Sequence, residues 1–259
     1  MITPKIQVEI SNIEYNIRSI AELLYSNADV NHSLPFRERI YHSFPLIAGS
    51  VKEGMSNAEI YDIINGILIK EYKENAFDMM KRRIELSEQF NKLQTVIIPK
   101  MLELFEVDWT DKHQAVTCYL GLYAVFPRDV LTKEYWLHYR APEDVVMRAS
   151  IHEINHFILF EKWKAMHGYT SDKQPSHPEI LWFLEEMAVD PTLNSPEMQE
   201  AAPYPQKSYA SFYENKINGI PIEDYIIDLF KNRSNMADFL DNAYRFISEN
   251  YNEILVKCG

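Results

Sequence analysis

Residues 142–168 constrain the fold of this chain more than any other stretch. Val145, Val146, Met147, Ala149, Ile151, Ile154, Phe157, Ile158, Leu159, Phe160 and Trp163 all fall within it. At 3.6 residues per turn these side chains cover nearly the whole circumference of a helix. A helix that is apolar all round is a buried one. Its ends are legible. Pro142 suits a first helical turn, and Glu143 and Asp144 complement the positive end of the dipole. Gly168 is a stop signal, preceded by Lys162, Lys164 and His167. The expected element is a central helix of roughly 26 residues, about 39 Å long, with the rest of the fold packed around it.

Near the middle of that helix the chain reads His152-Glu153-Ile154-Asn155-His156. Histidines four apart project from one face, a turn above each other, so their imidazoles are able to share one metal ion. Zinc suits imidazole, and a catalytic zinc takes three protein ligands with a position left open for water. Glu153 stands beside the pair, where it is able to take a proton from that water. The competing reading is a solvated face carrying His and Glu without chemistry. The apolar surroundings oppose it, because imidazole and carboxylate groups in a buried helix require partners. Asn155 lies inside the motif and is assigned no catalytic role.

A third ligand is expected downstream, in Ser176-His177-Pro178-Glu179-Ile180-Leu181-Trp182-Phe183-Leu184-Glu185-Glu186-Met187-Ala188-Val189-Asp190-Pro191. Ser176 and Glu179 have capping-box spacing, Pro178 falls in the first turn and Pro191 is a stop. A short helix over 177–189 follows. Helical neighbours of Glu185 are Leu181, Trp182, Ala188 and Val189, all apolar; those of Glu186 are Trp182, Phe183, Val189 and Asp190. A carboxylate in apolar surroundings calls for a cation. On this ground Glu185 is favoured as the third metal ligand, with Glu186 as the alternative.

This pair of motifs, within residues 142–191, resembles the gluzincin metallopeptidases, the broad group that includes thermolysin and aminopeptidase N. Their pattern is H-E-x-x-H followed on a later helix by a glutamate ligand, in many members within W-[L/F]-x-E-G-x-A. Trp182-Phe183-Leu184-Glu185-Glu186-Met187-Ala188 is similar, with Glu186 in place of the usual glycine. That register selects Glu185. A thermolysin-like E-x-x-x-D register selects Glu186 instead, with Asp190 as partner to a zinc histidine. The resemblance implies Zn2+ as cofactor, Glu153 as general base and a zinc-dependent hydrolysis of peptide bonds in a peptide or protein substrate. It also implies a small sheet whose edge strand pairs with substrate, for which 116–139 has the right position. His177, Tyr204, Tyr209 and Tyr213 are candidates, by proximity alone, for stabilising a transition state. The metzincin extension is absent: Phe157 to Lys162 contain neither the glycine nor the third histidine. The alternative function is a non-proteolytic binding or regulatory protein that retains a zincin scaffold and metal site.

Composition bounds the remainder. Hydrophobic residues make up 46% and aromatic residues 13%, ample for a core; 7 glycines and 13 prolines, without low-complexity runs, argue for continuous order. Lys plus Arg total 26 against 38 Asp plus Glu, a net charge of −12. That disfavours nucleic acid and anionic membrane surfaces as partners. No signal-peptide core, no apolar run of membrane-spanning length and two widely spaced cysteines lead to a cytoplasmic expectation. Ser56 with Glu59 predicts a capping box opening a long helix, and residues 5–10, 116–126 and 135–139 predict strands. Helices are expected near 208–217, 222–231 and 235–256. The fold class is α+β, predominantly helical: a helical region over 1–105 and a minimal zincin-like region with a small β-sheet over 106–259, together one compact unit.

Overall fold

A computed structural model describes residues 3–25, 30–109, 114–122, 127–168, 173–203 and 205–258. The chain is mostly helical around a four-stranded mixed sheet. β1 (Lys5–Ile10) leads into α1 (Ile13–Tyr25), α2 (Val30–Ser43), α3 (Pro45–Ser50) and the 33-residue α4 (Asn57–Gln89). The capping box of α4 is complete: Ser56 Oγ accepts from the Glu59 N–H, and the Glu59 carboxylate accepts from the Ser56 N–H. A π-helical turn (Leu93–Ile97) joins α4 to α5 (Ile98–Phe105).

β2 (Ala115–Gly121), β3 (Arg128–Asp129) and β4 (Glu134–His138) complete the sheet in the order β1-β2-β4-β3. β1 runs parallel to β2 and β2 parallel to β4, while β3 lies antiparallel on β4 at one edge. The helices α1–α5 form the crossover that parallel β1 and β2 require. One hydrophobic core runs through strands and helices from both sides of residue 105. Residues 123–126 of the expected strand lie outside the described residues.

α6 (Glu143–His167) is the expected central helix, with Pro142 before its first turn and Gly168 closing it at φ 63. It packs against β4, α5, α7 (Ile180–Met187), α8 (Val189–Leu193) and α12 (Met236–Glu249). Two expectations for the helix after it are corrected. Its first turn begins at Ile180 rather than 177, since only one half of the Ser176–Glu179 box forms, the Glu179 carboxylate accepting from the Ser176 N–H at 3.3 Å. Pro191 does not end the helical path: the chain bends at Ala188, and Pro191 falls in the first turn of α8, where its missing N–H is no loss. α9 (Pro196–Ala201) and α10 (Ala210–Glu214) follow. The expected helix up to 217 stops early because Asn218 and Gly219, at φ 51 and 84, turn a two-residue hairpin of β5 (Lys216–Ile217) and β6 (Ile220–Pro221). α11 (Ile222–Lys231), α12 and α13 (Tyr251–Cys258) end the fold, with Asn250 breaking what the sequence presents as one helix.

Candidate metal centre

α6 and α7 meet with His152, His156 and Glu186 facing one another, one donor atom from each lying within 4.8 Å of the others. The two Nε2 atoms are 2.9 Å apart. His152 Nε2 is 3.6 Å from Glu186 Oε2, and His156 Nε2 is 3.7 Å from Glu186 Oε1. Ligand bonds of about 2.0–2.1 Å at a tetrahedral angle set donor atoms about 3.3 Å apart, so small adjustments bring this set to a zinc-sized site. His156 is fully buried and His152 is half-buried. The third member of the cluster is Glu186, the alternative in the sequence reading. Glu185, the favoured residue, stands on the other side of the His156 ring, its Oε2 3.7 Å from Nδ1. The reason is rotational. Consecutive residues of a helix diverge by about 100°, and α7 is turned so that Phe183, Leu184 and Met187 enter the core, which leaves Glu186 rather than Glu185 aimed at both Nε2 atoms.

Glu153 lies beside the cluster, largely buried, with an Oε2 that makes no hydrogen bond. An open cleft of about 590 Å³ reaches it, lined by Val145, Arg148, Ala149, His152, Glu153, Pro205, Gln206 and Lys207. Its far wall is held in place by Asn194, which takes both backbone groups of Gln206, accepting from its N–H at 3.1 Å and donating to its carbonyl at 2.8 Å.

The sequence reading missed one residue of this site. Arg128, from edge strand β3, reaches into the acidic cluster: Nη2 is 3.1 Å from Glu185 Oε2, Nη1 is 3.2 Å from Glu186 Oε1 and 3.8 Å from Glu153 Oε2. No local pattern around residues 127–129 marks it. Arg128 thus stands as the one guanidinium among three carboxyl groups. The His/His/carboxylate donor set is of a kind that can hold a metal ion.

The proton affinities follow from burial and these charges. Burial, then the charge of Arg128, drives His156 well below the ordinary histidine value. Burial also works to lower His152, but its bond to Glu186 and the charges of Glu153 and Glu186 outweigh that and raise it. Burial raises Glu153, opposed by His152 and Arg128, and pushes Glu185 up to about 7 against the pull of Arg128. Burial would raise Glu186 too; His156, Arg128 and His152 overcome it and hold that carboxyl well below the usual range. Of the three carboxyl groups around Arg128, the one that faces both imidazoles is thus held most firmly ionised.

The remaining candidates are placed as follows. Asp190 does not meet either histidine in a hydrogen bond; it accepts from the Tyr213 hydroxyl. Burial pushes it up to about 6, opposed first by a hydrogen bond from the Ser208 backbone and then by His152. Behind it, fully buried Glu223 is pushed up to about 9 by burial and the Asp190 charge. His177 belongs to an aromatic cluster, 4.8 Å from the Trp182 ring and 5.6 Å from Phe183. Tyr209 packs on Trp182 at 5.5 Å and is exposed. Tyr204 lies outside the described residues. Asn155 accepts from the Thr192 hydroxyl at 3.3 Å and ties α6 to α8.

No family model, no curated protein and no solved structure matches this chain. Fold and site together define an α+β chain with a buried His/His/Glu cluster able to hold a metal ion. Among the described residues no helix is long and apolar enough to cross a membrane.

Proposed function

We propose that this protein is a zinc-dependent metallopeptidase of the gluzincin type, with zinc held by His152, His156 and Glu186 and with Glu153 as general base. The observation that carries the reading is the placement of Glu153. It directly follows the first of the two histidines, it lines the open cleft, and one of its oxygens makes no hydrogen bond among the described residues. A raised proton affinity suits a group that takes a proton from water and returns it to a leaving amine. Zinc, when bound, supplies the Lewis acidity that polarises a peptide carbonyl and acidifies water. The antiparallel edge strand β3 carries Arg128 into the same site, which supports docking of an extended peptide along that edge. Two unpaired cysteines suit a reducing compartment, consistent with a cytoplasmic enzyme.

The test is metal content and peptide turnover in the purified full chain. The reading requires about one zinc per chain, lost in His156→Ala, and cleavage in a broad peptide library that Glu153→Gln lowers at least about 100-fold without loss of zinc. Zinc binding with no cleavage in either protein leaves the alternative, a binding or regulatory protein that retains the metal site. Zinc-free protein of unchanged stability in His156→Ala removes both.

A further inference from the structure

The doublet Glu185-Glu186 divides into a ligand and a counter-ion, and a single guanidinium organises the division. We infer that Arg128 is a positioning residue of the metal centre and that Glu185 serves to anchor it rather than to bind metal. This rests on the metal reading above.

Arg128 joins three elements. From β3 it contacts Glu153 on α6 and both Glu185 and Glu186 on α7. Guanidinium is a rigid planar fork, so fixing one arm fixes the other. Nη2 is engaged by fully buried Glu185 at 3.1 Å, closer than the 3.7 Å between the same oxygen and His156 Nδ1. That contact sets Nη1 at 3.2 Å from Glu186 Oε1. One oxygen of Glu186 is thereby engaged, and the other, Oε2, is the one nearest His152. The ligand carboxylate is oriented before any cation arrives. Outer partners that orient a metal ligand in this way commonly contribute 10- to 100-fold to affinity.

Charge alone works in the opposite direction. A guanidinium within 4 Å of the cluster repels an incoming cation, so a purely electrostatic neighbour would weaken metal binding, and its removal would tighten it. The sign of the effect therefore separates positioning from proximity. Lysine keeps the charge but has no fork, which separates charge from geometry.

The experiment is zinc competition against a chromophoric chelator at one fixed pH, with the visible spectrum of the Co2+-loaded full chain as a second readout of ligand geometry. Thermal unfolding of each variant confirms that it is folded. Arg128→Met and Arg128→Lys should each weaken zinc about 10- to 100-fold and alter the Co2+ spectrum. Glu185→Gln should retain one metal per chain with a similar loss, and adding it to Arg128→Met should cost little more, since both changes remove one device. Glu186→Gln should lose far more affinity than Glu185→Gln. Equal or tighter zinc binding by folded Arg128→Met overturns the inference while leaving the metal centre intact. So does loss of metal in Glu185→Gln with retention in Glu186→Gln. Absence of any divalent metal binding by the wild-type chain overturns the metal reading and this inference with it. Should Arg128→Met not fold, Arg128→Lys and Glu185→Gln decide the matter by the same criteria.

Discussion

Glu223 makes a sharp test of the electrostatics behind the His/His/Glu cluster. It is fully buried in the first turn of α11, neither carboxyl oxygen has a hydrogen-bond partner among the described residues, and the charges acting on it are those of Asp190 and Asp224. Burial, then Asp190, raises it from 4.5 to about 9. The folded state thus keeps a proton that the unfolded chain gives up above pH 4.5. Its contribution to stability is whole below that value and is lost as pH rises towards about 9. The slope is about 1.4 kcal/mol per pH unit for one proton. Asp190, pushed up to about 6, has mostly finished titrating by neutrality. Glu185, pushed up to about 7, still loses part of its proton above neutrality in both proteins, so the difference between wild type and Glu223→Gln is the readout. From pH 7 to 8.5 Glu223 by itself contributes about 2 kcal/mol, or a Tm fall of about 4–8 °C for a chain of this size. Glutamine has the same shape and no proton to lose. The assay is thermal unfolding by circular dichroism, in chelator, of wild type and Glu223→Gln at the two pH values. The variant should match wild type near pH 5 and exceed it increasingly above neutrality. Parallel pH profiles for the two proteins, or a wild-type Tm that is flat over this interval, would refute the reasoning.

Three further outcomes follow from buried groups elsewhere. Lys133 and Glu161, both nearly inaccessible, pair at 2.7 Å, so Lys133→Met should cost about 3–5 kcal/mol by denaturant unfolding, whereas Lys133→Met with Glu161→Leu should recover most of it. A Cβ on Gly121 would lie 2.6 Å from Asn16 Oδ1, the atom that accepts the Leu122 N–H at 3.2 Å; Gly121→Ala should cost about 1–3 kcal/mol, read in the same experiment. Native protein should be alkylated at Cys258 and not at Cys118, which is fully buried with a thiol pushed up to about 12; mass spectrometry of the modified peptides gives the answer.

Much of the frame was legible in the chain. The limits and burial of α6, the Ser56–Glu59 capping box and strand Lys5–Ile10 are all as the residues predict. The Asn218-Gly219 hairpin carries a recognisable turn signal too, and it falls in the gap between the helices expected at 208–217 and 222–231. The site was legible in part: His152, Glu153 and His156 are related by the geometry of one helix, and local spacing is enough to bring them together.

What the sequence determined alone is this local geometry: a buried central helix, two imidazoles one turn apart on it and a carboxylate between them. Only the tertiary structure placed Glu186, rather than Glu185, beside both Nε2 atoms. That placement depends on how α7 is rotated against α6 and α12, and the rotation is set by packing on all three helices at once. Only the tertiary structure brought in Arg128, from a two-residue edge strand well upstream of the motif. Contacts within an element follow from its period, which the chain displays. Contacts between elements follow from how whole apolar faces fit together, and no short window of residues contains that information.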